Sequence, residues 1–170
     1  MTIIRKAALR DVPALDELIG RYARERLLLP RTLSDLYENV REFTVAEEDG
    51  RILGCGALKF YNQELAEIRS LCVEQGHKAH GVGSSLLKEL LDEARRCNLK
   101  NVFALTLAAE FFRKSGFRET HREKVPLKIS RDCRQCELYG KCNEKTMILV
   151  LANRLARRVA THPEASLVTA

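Results

Sequence analysis

Apolar positions along the chain recur with two different periods, and the switches between them mark out the elements. Thr2 to Ala7 alternates apolar and polar residues, as a half-buried strand does. From Asp11 the period lengthens: Leu15, Leu18, Ile19 and Tyr22 share one helical face, Pro13 suits a first turn, and Asp11 is an expected N-cap. Leu27-Leu28-Leu29-Pro30 interrupts this helix. Thr32-Leu33-Ser34-Asp35 starts a second one with a capping-box pattern in which Asp replaces Glu. Phe43 to Glu48 and Arg51 to Phe60 flank Asp49-Gly50 and read as a hairpin, followed by a strand from Leu65 to Val73. Leu86, Leu87, Leu90, Leu91 and Ala94 then give an amphipathic helix over Gly83 to Cys97. Val102 to Leu105 reads as a short buried strand, and Ala108 to Ser115 as a helix closed by Gly116. Phe117 opens a sixth strand and Met147 to Leu151 a seventh.

Hairpins early and crossovers late predict an α/β (α+β) fold with a mixed central sheet of about seven strands and helices on both faces. Residues 1–151 form the expected domain, with a cysteine-containing insert at 126–145, and residues 152–170 a C-terminal tail. A chain of 170 residues suits one domain, and 45% hydrophobic with 31% charged residues marks it as globular. No apolar run approaches the roughly 20 residues of a membrane span. Met1 to Lys6 contains no apolar core of signal-peptide length, so the expected location is cytoplasmic and the six cysteines are expected as thiols. A net charge of +6 favours anionic ligands. Aromatics at 6%, no Trp and no aromatic-plus-basic stripe argue against nucleic acid.

Chemistry concentrates in the turn after the Leu65 to Val73 strand. Leu71-Cys72-Val73 is followed closely by Lys78-Ala79-His80-Gly81-Val82-Gly83 and then a helix beginning near Ser84. Glycines let the backbone approach a ligand, and the helix start offers unpaired N–H groups, an arrangement suited to a diphosphate. A strand–helix turn with glycines for geometry alone has the same appearance.

Lys78 to Gly83 resembles the Gln/Arg-x-x-Gly-x-Gly/Ala loop of the GCN5-related N-acetyltransferase (GNAT) superfamily, with Lys in first place. Phe111-Phe112-Arg113-Lys114-Ser115-Gly116-Phe117 resembles its Phe-Tyr-x-x-x-Gly-Phe landmark, with Phe112 where many members have a tyrosine acting as general acid. Within that superfamily, several stretches look like the short, single-domain N-acetylglutamate synthases. These are Leu28-Leu29-Pro30-Arg31, Gly54-Cys55-Gly56-Ala57-Leu58-Lys59, Glu67-Ile68 with Leu71 and Val73, Val102 to Thr106, and Val125-Pro126 with Lys128. The cysteine-bearing stretch Asp132-Cys133 to Cys142-Asn143-Glu144 adds to the likeness.

The resemblance implies acetyl-CoA as cosubstrate, held by Leu71, Cys72, Val73, Lys78, Ala79, His80, Gly81, Val82, Gly83 and Ser84. It implies Glu67 as general base toward an amino-acid amine, with L-glutamate the expected acceptor and arginine biosynthesis the expected context. Arg31, Lys59, Lys128 and Thr146 match or nearly match substrate-contacting positions, and Arg69 lies on the strand face of Glu67. Another amine, or acyl-CoA binding without turnover, stands as the alternative, and a homodimer is left open. Cys133, Cys136 and Cys142, with His121, form either a zinc site or a packed reduced insert.

Overall fold

A computed structural model describes residues 1–78 and 80–151; Ala79 and the tail at 152–170 lie outside the described residues. The strands are β1 (Ile3–Lys6), β2 (Phe43–Glu48), β3 (Arg51–Phe60), β4 (Leu65–Val73), β5 (Asn101–Thr106), β6 (Arg118–Thr120) and β7 (Lys145–Val150). The helices are α1 (Val12–Arg24), α2 (Leu33–Glu38), α3 (Val82–Arg96), α4 (Ala109–Lys114) and α5 (Pro126–Arg131). Strand order in the sheet is β1-β2-β3-β4-β5-β7-β6, antiparallel throughout except between β4 and β5. The sheet is therefore mixed, with seven strands.

Neighbouring residues of β3 explain how helices come to cover both faces. Successive side chains of a strand point to opposite sides. Cys55 and Ala57 pack with Val12, Leu15, Leu18 and Ile19 of α1, whereas Leu58 packs with Leu87, Leu90, Leu91 and Ala94 of α3. Gly56 faces α3, where a Cβ would come within 2.9 Å of both Leu71 Cδ1 and Leu90 Cδ1. Its missing side chain is what lets helix and sheet approach.

Two capping details differ from the sequence pattern. Asp11 gives α1 no side-chain cap. Its carboxylate instead accepts from the Ala8 N–H at 2.7 Å and from the Arg5 guanidinium at 2.6 and 2.9 Å, tying β1 to the turn before the helix. Thr32 does cap α2, accepting from the Asp35 N–H at 3.1 Å, but the Asp35 carboxylate serves Arg31 and Asn39. Arg5 at Asp11, and Arg31 with Asn39 at Asp35, occupy carboxylate oxygens that the pattern assigns to the starts of α1 and α2.

Two features open the sheet at its centre. β4 and β5 pair only through Leu65↔Asn101, Ala66↔Val102 and Glu67↔Phe103. Beyond Glu67 the strands part, β4 staying with β3 and β5 with β7. β4 also bulges: between the pairs Cys55↔Cys72 and Ala57↔Arg69 it takes three steps to β3's two, with Ser70 at φ 52°. A bulged strand bends, and bulges re-aim the side chains beside them.

Candidate active site

The turn from β4 into α3 carries the first half of the site. Gly81 is the N-cap of α3 at φ 80°, a left-handed conformation that L side chains rarely adopt. The Ser85 N–H donates to the Gly81 carbonyl as the first helical bond. Helix geometry leaves the N–H groups of Val82, Gly83 and Ser84 without an acceptor inside the helix, at the positive end of its dipole. Lys78 and His80 are exposed at the same turn, and Val82 is buried as its apolar anchor. Lys78 Nζ lies 5.0 Å from the centroid of the Tyr22 ring, and the Tyr22 hydroxyl donates to the Val73 carbonyl at 2.6 Å. These donors and this cation fit a diphosphate. The partly buried Leu71 and the buried Cys72 and Val73 lead from the bulge to this turn, on the part of β4 that has left β5.

The second half is a cavity beginning where the strands part. Its wall includes Arg31, Glu67, Arg69, Arg122, Lys128 and Asp132. Glu67, the last β4 residue paired with β5, is 2% exposed. Its Oε2 accepts from the Tyr61 hydroxyl at 3.0 Å, and its Oε1 lies 3.1 Å from Lys128 Nζ. Lys128 also donates to Asp132 Oδ2 at 2.9 Å, and so can Tyr61 at 2.8 Å. Burial alone would lower the Lys128 pKa; the charge of Glu67 and the bond to Asp132 outweigh it and raise it. Burial likewise opposes ionisation of Asp132, but the Lys128 bond and charge and the Tyr61 bond hold its pKa below the ordinary value. The Tyr61 phenol is pushed far up, by burial first and then by the charge of Glu67.

Two arginines on this wall are incompletely paired. Arg69 donates to Glu42 at 2.8 Å and Arg31 to Asp35 at 3.3 Å. Among the described residues, both keep a buried Nε–H with no partner. A buried guanidinium donor left unpaired is costly, so an anionic group entering the cavity would be stabilised there.

Of the predicted residues, Arg31, Glu67, Arg69 and Lys128 meet at this cavity, while Lys59 and Thr146 are not part of its wall. Lys59 reaches Glu42 Oε1 at 3.4 Å, sharing that carboxylate with Arg69. Thr146 is buried in β7, in register with Leu105 and Thr120. The sequence pattern does not point to Asp132 and Arg122, which are on the wall, or to Tyr61 and Glu42, which lie behind it as partners of Glu67 and Arg69. Asp132 stands four residues after Lys128, a helical spacing that links them once 126–131 forms a helix. Nothing local marks Tyr61.

The cysteines divide by environment. Cys133 is buried, and its thiol pKa is raised chiefly by that burial. Cys142 Sγ accepts from Arg122 at 3.2 Å. Among the described residues no group of three or more His, Cys, Asp or Glu side chains is arranged to hold a metal ion. Phe112 is buried edge-to-face against both Phe111 and Phe117, so core packing accounts for it. No helix among the described residues is long and apolar enough to cross a membrane.

Comparison with known proteins agrees with this geometry. The sequence pattern of the Acetyltransferase (GNAT) family matches residues 11–117. An uncharacterized N-acetyltransferase of Chlorobaculum tepidum is 36% identical over 150 residues, covering 88% of this chain and 97% of that one. An amino-acid acetyltransferase of Mycobacterium tuberculosis is 39% identical over 130 residues, 75% of this chain and 74% of the relative. Among solved structures, a Mycobacterium tuberculosis protein in complex with CoA superposes with a TM-score of 0.77 at 34% identity, over 88% of this chain and 99% of that one. N-acetylglutamate synthase of Neisseria gonorrhoeae, complexed with CoA and N-acetyl-glutamate, gives 0.82 at 29% identity, over 90% of this chain but 36% of its own. The chain thus corresponds to about a third of that longer protein. With the family pattern spanning most of the sheet and two CoA-bound structures sharing its fold, the chain belongs to the acetyltransferase (GNAT) family and is an acyltransferase.

Proposed function

We propose that this chain is an amino-acid N-acetyltransferase whose acceptor is L-glutamate, acting in the cytoplasm at the first step of arginine biosynthesis. Residues 1–151 would constitute the catalytic unit. Acetyl-CoA is the cosubstrate and supplies the thioester acyl carbon. The N–H groups at Val82, Gly83 and Ser84, with Lys78 beside them, bind its diphosphate. Because β5 leaves β4 after Glu67, the β4 edge through Leu71, Cys72 and Val73 is available to an extended ligand arm and, through its amides, to the thioester oxygen.

One observation carries the choice of acceptor: the buried Nε–H groups of Arg31 and Arg69, unpartnered among the described residues, on the wall that also holds Glu67. A dicarboxylate amine supplies acceptors for both cations while its ammonium approaches the Glu67 carboxylate. Glu67 removes the proton that keeps the amine from attacking, the work of a general base. The mycobacterial and gonococcal relatives support the same reading. A polyamine would bring only positive charge to a wall where Arg31, Arg69, Arg122 and Lys128 outnumber Glu67, Asp132 and Glu144.

The test is CoA release from acetyl-CoA with each of the twenty amino acids, short peptides with a free N-terminus, and spermidine. L-Glutamate should be fastest, with L-glutamine about tenfold slower, the equivalent of 1.4 kcal/mol. Preference for a peptide N-terminus or a polyamine would overturn the glutamate reading. Acetyl-CoA binding with no turnover on any acceptor would favour a binding protein instead.

A further inference from the structure

We infer that Tyr61 and Asp132 form the exit path by which the proton taken up by Glu67 leaves the cavity. The inference rests on Glu67 being the base. Transfer from a thioester to an ammonium substrate forms one C–N bond and breaks one C–S bond. The ammonium carries three protons and the amide nitrogen keeps one. One of the two released goes to the CoA thiolate; the other must reach solvent before the next turnover. Glu67 is poorly placed to deliver it alone, being 2% exposed.

Tyr61 bridges the gap. Its hydroxyl oxygen is 3.0 Å from Glu67 Oε2 and 2.8 Å from Asp132 Oδ2. It has one proton and two carboxylate neighbours, so it can serve only one at a time. With Glu67 ionised, either carboxylate can receive it. Once Glu67 is protonated, its Oε2–H donates to the Tyr61 oxygen while the Tyr61 proton passes to Oδ2 of Asp132. Glu67 returns to carboxylate, Tyr61 remains a neutral phenol and Asp132 becomes a carboxylic acid. Exposure rises along the path, from 2% at Glu67 and 6% at Tyr61 to 33% at the Asp132 side chain, where water takes the proton.

The surroundings suit a concerted hop. Tyr61 is held firmly protonated, so phenolate is not an intermediate. Asp132 is held ionised, so it sheds the proton rather than storing it. Other charged groups facing the path are Lys128, which braces Glu67 Oε1 and Asp132 Oδ2, Arg69 on β4, and Arg131 with its guanidinium 5.9 Å from the Tyr61 ring centroid. The ring is fixed by Phe103, 5.6 Å away between centroids. Tyr61 and Asp132 are positioning residues in this scheme, acting through Glu67.

The experiment compares kcat in H2O and D2O for the parent, Tyr61→Phe, Asp132→Asn, Asp132→Glu and Glu67→Gln, using the amino acid with the fastest CoA release and saturating acetyl-CoA. Tyr61→Phe and Asp132→Asn should each lower kcat by about tenfold or more and enlarge the solvent isotope effect, since proton exit becomes limiting. The double variant should be no slower than the slower single, because the two act in series. Asp132→Glu should recover most of the rate. If both single variants keep the parental kcat, or lose rate with an unchanged isotope effect, the exit path is wrong. In that case a slow Glu67→Gln leaves Glu67 standing as the base. An unimpaired Glu67→Gln removes the base and the path together. Should Tyr61→Phe fail to fold, the more exposed Asp132 variants decide the matter.

Discussion

Lys128 holds its ammonium 3.1 Å from Oε1 of Glu67, within a salt bridge whose members are both almost fully buried. A second donor of Lys128 is committed to Asp132 at 2.9 Å. One N–H remains for a substrate, so this lysine organises carboxylates before it contacts any acceptor. Removing one partner of such a pair strands the other charge. Lys128→Met should therefore destabilise the fold by about 3 kcal/mol in urea unfolding, and combining it with Glu67→Gln should recover part of that loss. Strict additivity of the two substitutions would contradict the coupling.

The ion pairs also set how stability varies with pH. Lys128 has a raised pKa in the folded state, so its contribution is complete below the ordinary lysine value and is lost as pH rises through the folded one. Asp11, lowered first by the hydrogen bond from Arg5, and Asp132 behave oppositely. Their contributions are complete above the ordinary aspartate value and are lost as pH falls through their folded values. Stability should be flat between these limits and decline on both sides. Asp11→Asn should flatten the acid limb more than Asp132→Asn, because Asp11 is 6% exposed and Asp132 33%. An acid limb unchanged by Asp11→Asn would show that the Arg5 pair contributes little.

Acceptor recognition is expected to rank the cations by their position. Arg31→Met and Arg69→Met each remove a guanidinium from the cavity wall and should raise the KM for glutamate about tenfold or more, leaving that for acetyl-CoA unchanged. Lys59 acts on the cavity through Glu42, the carboxylate it shares with Arg69. Lys59→Met should have the smaller effect. Steady-state kinetics with both substrates varied would detect a reversed order.

Much of this arrangement was legible in the sequence because it depends on local pattern. The two periods give the strands and helices, and the glycines before Ser84 give the turn into α3. Glu67 and Arg69 follow from alternation along one strand. Lys59 shows where that reasoning stops: it is in register with Glu67 across β3 and β4, yet its side chain turns to Glu42. Register places a residue on a sheet face but does not say which carboxylate a long side chain will choose, and the bulge at Ser70 is announced by no residue type. Tyr61 and Asp132 lie 71 residues apart and meet only when α5 folds over the end of β3. Asp11 has the type and position of a cap, but Arg5, six residues before it on β1, claims its carboxylate.

The cofactor turn makes its own prediction. Gly81 sits at φ 80°, where any L side chain adds strain of about 1–2 kcal/mol, although a Cβ there would meet nothing within 4 Å. Gly81→Val should therefore weaken acetyl-CoA binding about tenfold in calorimetric titration while the protein still folds. A Cβ on Gly83 would meet Val73 and Phe111 at 3.6 Å, ordinary contact, so Gly83→Ala should fold normally and Gly83→Val should obstruct the ligand. Parental affinity in both valine variants would remove this turn from the cofactor site.

Glu67, where β4 and β5 part, is the proposed base, and turnover of Glu67→Gln across pH tests that role most directly. Folding and acetyl-CoA affinity should be retained, and kcat at neutral pH should fall by about 10²-fold or more, the scale of general-base loss. The deficit should narrow as pH rises and more of the amine is already free. A variant that matches the parent across the whole pH range would contradict the assignment of the site.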